Sequence, residues 1–547
     1  MARTGAQILV DVLAAQGVER VFCVPGESYL SVLDALYDAR NAIATIVCRH
    51  EAGAANMAEA TGKLTGRPGI CFVTRGPGAT HASIGVHTAR QDSTPMILFV
   101  GQVARADKHR EAFQELDYSA VFGSIAKWAV EIDDAARIPE IVERAFHVAM
   151  QGRMGPVVIA LTEDMLSDAV DAAVGARIEP AQAALDAKTL SEIEGALSGA
   201  KAPVLILGGS GWDEAGCASI KAFAEKADLP VVLSFRRKDL LSNDHPNFAG
   251  DLGLGPNSKL IARIKAADLV IAVGARLGEN PSQAYSLFTR DETAQRLIHI
   301  HPSAEEIGRV WPAKIGAVAH VSRAMEALAA LSVKPSWNAA TKEARKEYED
   351  FIKPVEVTGA VNMSALVAHL SEALPDDAII CNGAGNFAAW LHRFYRHRAA
   401  KTQLAPTSGA MGYGFPAAIA AKTAHPDRDV ICFAGDGDFM MSAVEMATIA
   451  RHNVGVVTIV IDNGTYGTIR MHQEREYPAR VHATDLSNPD FVAFAASFGV
   501  WGTRVEKTEY FPAALAEARK RAPALIHVVT SAEDISPGRT ISALRKG

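Results

Sequence analysis

Positive charge is in short supply in this chain. Lysine and arginine number 55 against 62 aspartates and glutamates, a formal net charge of −7. That balance excludes a broadly basic face of the kind that holds nucleic acid, and leaves a small molecule as the expected partner. Cysteine is scarce too. The six are scattered at 23, 48, 71, 217, 381 and 432, and none forms a CxxC pair. Neither a zinc ribbon nor a disulfide framework is indicated. Thiols inside apolar runs suit a reducing compartment. The first residues lack the charged-then-apolar pattern of a secretory leader. No apolar run reaches the length needed to span a bilayer. These absences predict a cytoplasmic protein with neither a membrane nor a nucleic-acid partner.

What is present is a regular α/β pattern over 547 residues. Short runs rich in valine and isoleucine, among them Val21–Val24, Ala44–Val47, Ile70–Val73 and Met96–Val100, alternate with amphipathic stretches. Such runs read as buried parallel strands joined by crossover helices. Two stretches read as boundaries: the alanine-rich Asp168–Lys188, and Val333–Val357 with its charged run Lys342–Asp350. They predict an N-terminal domain over 1–168, a central domain over 189–333 and a C-terminal domain over 357–547. Each has a glycine-rich turn after a strand: Thr74-Arg75-Gly76-Pro77-Gly78, Gly208-Gly209-Ser210-Gly211 and Ala434-Gly435-Asp436-Gly437. Three doubly wound parallel-sheet domains in series are expected.

The stretch from Val430 to Arg470 carries the chemistry. A strand over Asp429–Ala434 enters Gly435-Asp436-Gly437-Asp438-Phe439, and a helix is expected over Ser442–Arg451. A second strand, Val456–Ile461, ends at Asp462-Asn463-Gly464-Thr465. Both loops follow strand C-termini, where open parallel sheets bind ligands. Glycines let backbone N–H groups approach phosphate oxygens. Asp436, Asn463 and the carbonyl of Thr465 are hard oxygen donors suited to Mg²⁺ bridging two phosphoryl groups. A lone Gly-Asp-Gly is an ordinary turn. The pairing of Asp436 with Asn463, 27 residues on and across strand–helix–strand, is more specific.

This pairing resembles the cofactor motif of the thiamine-diphosphate-dependent enzymes, with Asp462 where the family carries its first asparagine. The resemblance covers nearly the whole chain and is nearest to the acetolactate synthases. It implies thiamine diphosphate and Mg²⁺ as cofactors and a 2-oxo acid as substrate. It also implies a cofactor laid across a dimer interface, with a homotetramer as the expected assembly. In Cys48-Arg49-His50-Glu51-Ala52, followed by a small-residue helix over Ala52–Ala60, Glu51 corresponds to the carboxylate that shares a proton with the aminopyrimidine. In Gly409-Ala410-Met411-Gly412-Tyr413-Gly414, Met411 corresponds to the apolar wedge beneath the bent cofactor. Asn382, Gly383, Gly409, Asp438, Tyr466 and Gly467 join Gly435, Asp436, Gly437, Asn463 and Thr465 in the expected cofactor site. Phe113, Gln114, His81 and Ile469 are expected at the substrate.

Departures divide the substrate side from the synthases. Val24-Pro25-Gly26-Glu27 places an acid where they have glycine, making Glu27 an acid/base candidate or a plain turn residue. Thr162-Glu163 replaces their Pro-Lys, Asn382–Asn386 replaces a Gln-His cluster, and Asn463–Arg470 resembles benzoylformate decarboxylase more closely. His81 and His87 are candidate proton shuttles or ordinary packed residues. The product stays open between an acyloin or acetohydroxy acid and a simple aldehyde. Gly274-Ala275-Arg276 resembles the segment that contacts FAD in the synthases. Leu277-Gly278-Glu279-Asn280, directly after it, departs from their pattern, so flavin also stays open. A non-catalytic cofactor-binding protein would be favoured by loss of Glu51, Asp436 or Asn463, and all three are present. A nicotinamide-dependent oxidoreductase would leave the first and third blocks without a role.

Overall fold

The computed structural model describes residues 2–546. Met1 and Gly547, the outer ends of the expected first and third blocks, lie outside the described residues. Three six-stranded, wholly parallel sheets follow one another along the chain. The first runs in the order Ala44–Val47, Arg20–Cys23, Gly69–Val73, Met96–Gln102, Pro156–Thr162, Trp128–Ile132. The second runs Phe248–Leu252, Val231–Ser234, Pro203–Leu207, Leu269–Val273, Arg296–His301, Ile315–Val318. The third runs Gln403–Leu404, Ile379–Asn382, Val430–Gly435, Val457–Asp462, Ala524–Val529, Trp501–Val505. The inner strands are buried along nearly their whole length, and Met96–Gln102 throughout, because helices cover both faces. Among the described residues no helix is long and apolar enough to cross a membrane.

The first and third domains share one hydrophobic core. Its centre is the helix Glu51–Thr65, packed between the helices Gly76–Asp92 and Gly414–Ala424. Small residues make this approach close: a Cβ on Gly85 would lie 2.5 Å from the Cβ of Ala55. A buried polar knot fastens the same seam. Tyr413 donates to Glu59 over 2.6 Å, and Lys63 pairs with Glu59 and Asp92. Asp92 in turn accepts from the Thr407 backbone over 2.7 Å.

Two expectations are corrected. The stretch 333–357 contains a helix, Asn338–Phe351, whose Thr341, Ala344 and Tyr348 are buried against the central domain, with Trp337 beside them. Its charged run is the solvent face of an amphipathic helix, spaced i, i+3, i+7 on the buried side. The helix expected over Ser442–Arg451 is instead a short helix Asp436–Met440, a 3₁₀ turn Ala443–Glu445 and a helix Met446–His452. The chain bends at Ser442 (φ −133°, ψ 11°), which turns the fully buried Glu445 into the first domain.

Candidate active site

The C-terminal ends of the third sheet open onto a cavity of about 370 Å³. Gly409 and Met411 line it, as do Gly435–Asp438, Asn463 and Thr465–Ile469, with Arg236 and Leu254 added from the central domain. Gly435 and Asp462 end adjacent strands in parallel register, Gly435 opposite Ile461, so the two loops are neighbours by sheet geometry.

Asp436 is buried. Its Oδ1 accepts from the Gly437 N–H over 2.9 Å, and its Oδ2 from the Gly464 N–H over 2.9 Å and from Asn488 Nδ2 over 2.8 Å. Burial pushes its pKa up to about 6, the bonds from Asn488 and Gly437 oppose this, and the neighbouring Asp462 adds to it. Asn488 also donates to Asp462 Oδ1 over 2.8 Å, while His527 lies 2.9 Å from Asp462 Oδ2. Burial would raise Asp462 as well, but its bonds to His527, Asp436 and Asn488 outweigh burial and hold it below the usual carboxylate range. Two partly desolvated carboxylates thus stand together, Asp436 at the cavity, an arrangement that a divalent cation relieves. Asn463 Oδ1 accepts from the Thr465 N–H over 3.1 Å. The Thr465 hydroxyl is engaged with the Thr484 carbonyl over 2.7 Å, so its own carbonyl is the group free to serve a cation. Carboxylate, amide oxygen and carbonyl together fit Mg²⁺ and the diphosphate it would carry.

Asp438 does different work. It accepts from Gly412 N–H over 2.9 Å and Ala384 N–H over 3.2 Å, and burial pushes its pKa up to about 7 against those bonds. It therefore anchors the turn after Met411 to the loop after strand Ile379–Asn382. Two expected cofactor residues stand just behind this turn. Asn382 is fully buried, donating to the Gly383 carbonyl and bonded to His392 over 3.1 Å, and a Cβ on Gly383 would collide with the Asp438 carboxylate. Neither lines the cavity. They build the wall behind it.

The N-terminal group is gathered elsewhere. Glu51 opens the helix Glu51–Thr65, and its Oε2 lies 2.9 Å from His81 Nδ1 on the helix Gly76–Asp92. The buried Glu445 carboxylate accepts from the N–H groups of Arg49 and His50 and fixes the backbone just before Glu51. Phe113 is 71% exposed. Gln114, at φ 65°, accepts from the Gly76 N–H over 3.0 Å, which sets it beside the turn at Thr74–Gly78. Glu27 stands exposed in the 3₁₀ turn Glu27–Tyr29. None of Glu27, Glu51, His81, Phe113 or Gln114 lines the cavity of the third domain. One chain therefore presents two separate groups of expected site residues. Sequence reasoning missed Asn488, His527 and Glu445. Asn488 and His527 reach the site by tertiary folding from segments with no motif of their own, and Glu445 is turned toward it by the bend at Ser442.

The central domain does not fit a flavin. A Cβ on Gly209 would collide with the Gly274 carbonyl, so the glycines of the two turns serve mutual packing. The Gly208 and Gly209 carbonyls accept from Trp212 over 2.9 Å and Arg237 over 2.6 Å. The next helix, Glu214–Ala227, already carries Asp213 as its cap and Glu214 in its first turn, which disfavours a phosphate. Arg153 and Arg276 are both turned to Glu306, at 3.0 and 3.5 Å. The cavity beside Arg276 holds only about 100 Å³.

Comparison with known families agrees with this geometry. Residues 3–121 match the thiamine pyrophosphate enzyme N-terminal TPP-binding domain, 190–328 the central domain and 383–528 the C-terminal TPP-binding domain. The chain is 30% identical to the acetolactate synthase large subunit of Parasynechococcus marenigrum (strain WH8102), over 96% of this chain and 87% of that protein. It is 29% identical to the acetolactate synthase isozyme 2 large subunit of Escherichia coli (strain K12), over 97% of each. It is also 29% identical to an acetolactate synthase of Bacillus subtilis (strain 168), over 92% of this chain and 89% of that protein. With three domain matches in order and relatives aligned almost end to end, the chain belongs to the thiamine-pyrophosphate-dependent enzymes of the acetolactate synthase type.

Proposed function

We propose that two copies of this chain form an Mg²⁺-dependent lyase and carboligase for a 2-oxo acid, with thiamine diphosphate held between them. The observation that carries this reading is the division of the site. The cavity holds the diphosphate and metal residues but no residue of the N-terminal domain, while Glu51 stands at another surface, its side chain 14% exposed. Apolar side chains flank both groups. Met440, Met441 and Val444, just beyond the Gly435–Asp438 loop, are 43%, 57% and 50% exposed, and Phe113 is more so. Patches of this kind mark interaction surfaces. A two-fold arrangement that sets Glu51 of one copy against the cavity of the other completes two equivalent sites. Two such dimers give the homotetramer.

In that assembly Asp436, Asn463 and the Thr465 carbonyl hold the metal, and Gly467 leaves a backbone N–H group open to phosphate. Met411 supports the cofactor from below. Glu51 takes and returns a proton at the aminopyrimidine. The bound cofactor supplies an electron acceptor for the carbon left when CO₂ departs. Phe113, Gln114 and Ile469 border the space for the acid, and Glu27 stands near enough to the N-terminal turn to serve as an acid/base group. The buried free thiols suit a cytoplasmic location. The test is a screen of the purified protein with thiamine diphosphate and Mg²⁺ against a panel of 2-oxo acids, following CO₂ release with and without acceptor carbonyl compounds. Release that yields a joined product supports the carboligase. Release of aldehyde alone reassigns the enzyme as a decarboxylase. No release from any acid by cofactor-loaded protein contradicts the proposal.

A further inference from the structure

We infer that His81 is a positioning residue for Glu51: its Nδ1–H holds one carboxylate oxygen and leaves the other to face the cofactor. This rests on the proposed role of Glu51 as the proton-sharing carboxylate.

The contact is His81 Nδ1 to Glu51 Oε2 at 2.9 Å. An ionised carboxylate only accepts, so the hydrogen of this bond sits on Nδ1. The other oxygen, Oε1, is flanked by Gly78, whose Cβ would stand 3.7 Å away, so that side is kept small. One oxygen is held, and the other has no hydrogen-bond partner among the described residues. A hydrogen bond to a charged acceptor is short and directional enough to select a rotamer.

Three neighbours fix the histidine and the glutamate in turn. The His50 ring lies against that of His81, centroids 4.6 Å apart and planes tilted by 31°. The His50 Nδ1 accepts from the Ala52 N–H over 3.1 Å, so the neutral ring carries its hydrogen on Nε2 and its plane is set by the helix cap. Glu445 clamps the Arg49 and His50 N–H groups, and so fixes the backbone that leads into Glu51. The two helices bearing Glu51 and His81 are locked together by the contact of Gly85 with Ala55. The distance between carboxylate and imidazole is therefore set by backbone packing. His81 is 53% exposed, so changing it leaves no cavity behind.

The test uses the full-length protein and the variants His81→Leu, which removes the donor, and His81→Asn, which keeps an N–H at the place of Nδ1. In cofactor-free protein, ¹⁵N NMR of the histidine rings is expected to show the His81 ring protonated at Nδ1, assigned by comparison with the variants. That signal should vanish in His81→Asn and shift in Glu51→Gln. With thiamine diphosphate and Mg²⁺ bound, hydrogen–deuterium exchange at the cofactor's C2 should slow about ten- to a hundredfold in His81→Leu. It should return to within about threefold of wild type in His81→Asn, with cofactor affinity unchanged in both. A His81 ring protonated only at Nε2, wild-type exchange in His81→Leu, or equal loss in both variants overturns the inference. Glu51→Gln separates the two claims. Slow exchange there with normal exchange in His81→Leu removes only the role of His81. Normal exchange in Glu51→Gln removes the role of Glu51 itself.

Discussion

Asp436 and Asp462 stand at the ends of adjacent strands, and the amide of Asn488 joins them with two bonds of 2.8 Å. Asn488 orients the carboxylate expected to hold the metal, and groups in that position typically change metal affinity about ten- to a hundredfold. Asn488→Ala is therefore expected to weaken Mg²⁺-dependent binding of thiamine diphosphate by that factor, read by fluorescence titration at several Mg²⁺ concentrations. Unchanged binding would remove Asn488 from the site. Glu51→Gln keeps the shape of the side chain and loses its charge. Turnover should fall by about 10²- to 10⁴-fold while the cofactor still binds, which a binding titration alongside the rate assay distinguishes. Asp436 and Asn463 were legible in the sequence because strand–helix–strand spacing places both loops at one sheet edge. Asn488 was not, because Ser487-Asn488-Pro489 belongs to a loop that reaches the strands only through the fold. The surroundings of Asn382 and Gly383 were not legible for a related reason. Sequence shows that a loop comes after the strand, but not that Asp438 occupies the space in front of it.

Among the elements, the helix Glu51–Thr65 carries the most consequence, since it presents Glu51 at its start and packs against both neighbouring helices. Its alanines and glycines were readable as a close-packing surface, and the residues they meet were not. Gly85→Ala pushes a methyl against Ala55 and should cost about 1–3 kcal/mol, seen as a lower thermal midpoint. An unchanged midpoint would show that the seam has slack. The helix Gly467–Glu476, which begins at the cofactor loop, is held from its other end. Arg545 and Arg470 bond the buried Glu474, as does the Ala479 N–H, and these hold its pKa down to about 2. Because the folded pKa lies below the unfolded one, this contribution is complete above about pH 4.5 and is lost as pH falls from there toward 2. Glu474→Gln should therefore destabilise the protein by about 2 kcal/mol near neutrality, and its deficit against wild type should shrink as pH drops below 4.5. A deficit independent of pH would assign the effect to packing. The helix Asn338–Phe351 escaped recognition because its charged face dominates the composition, while only Thr341, Ala344 and Tyr348 mark the buried stripe.

At the scale of the molecule, the three α/β units were readable from alternating strand runs and glycine turns, because buried parallel strands leave an apolar signature that survives any substitution of substrate residues. The proposed division of the site between copies was not written in any spacing. It rested on family resemblance, and the geometry of a single chain supports it, since the Glu51 group and the metal group occupy different surfaces. The most direct test is subunit complementation. Glu51→Gln and Asp436→Ala are each expected to be inactive alone. When the two are mixed, dissociated and reassociated at equal amounts, half of the dimers pair one of each. In such a dimer one site carries both defects and the other carries neither. Activity should recover to about a quarter of wild type. Failure to recover any activity, with mixed dimers shown to form, would place both residues in a site made by one chain and contradict the account.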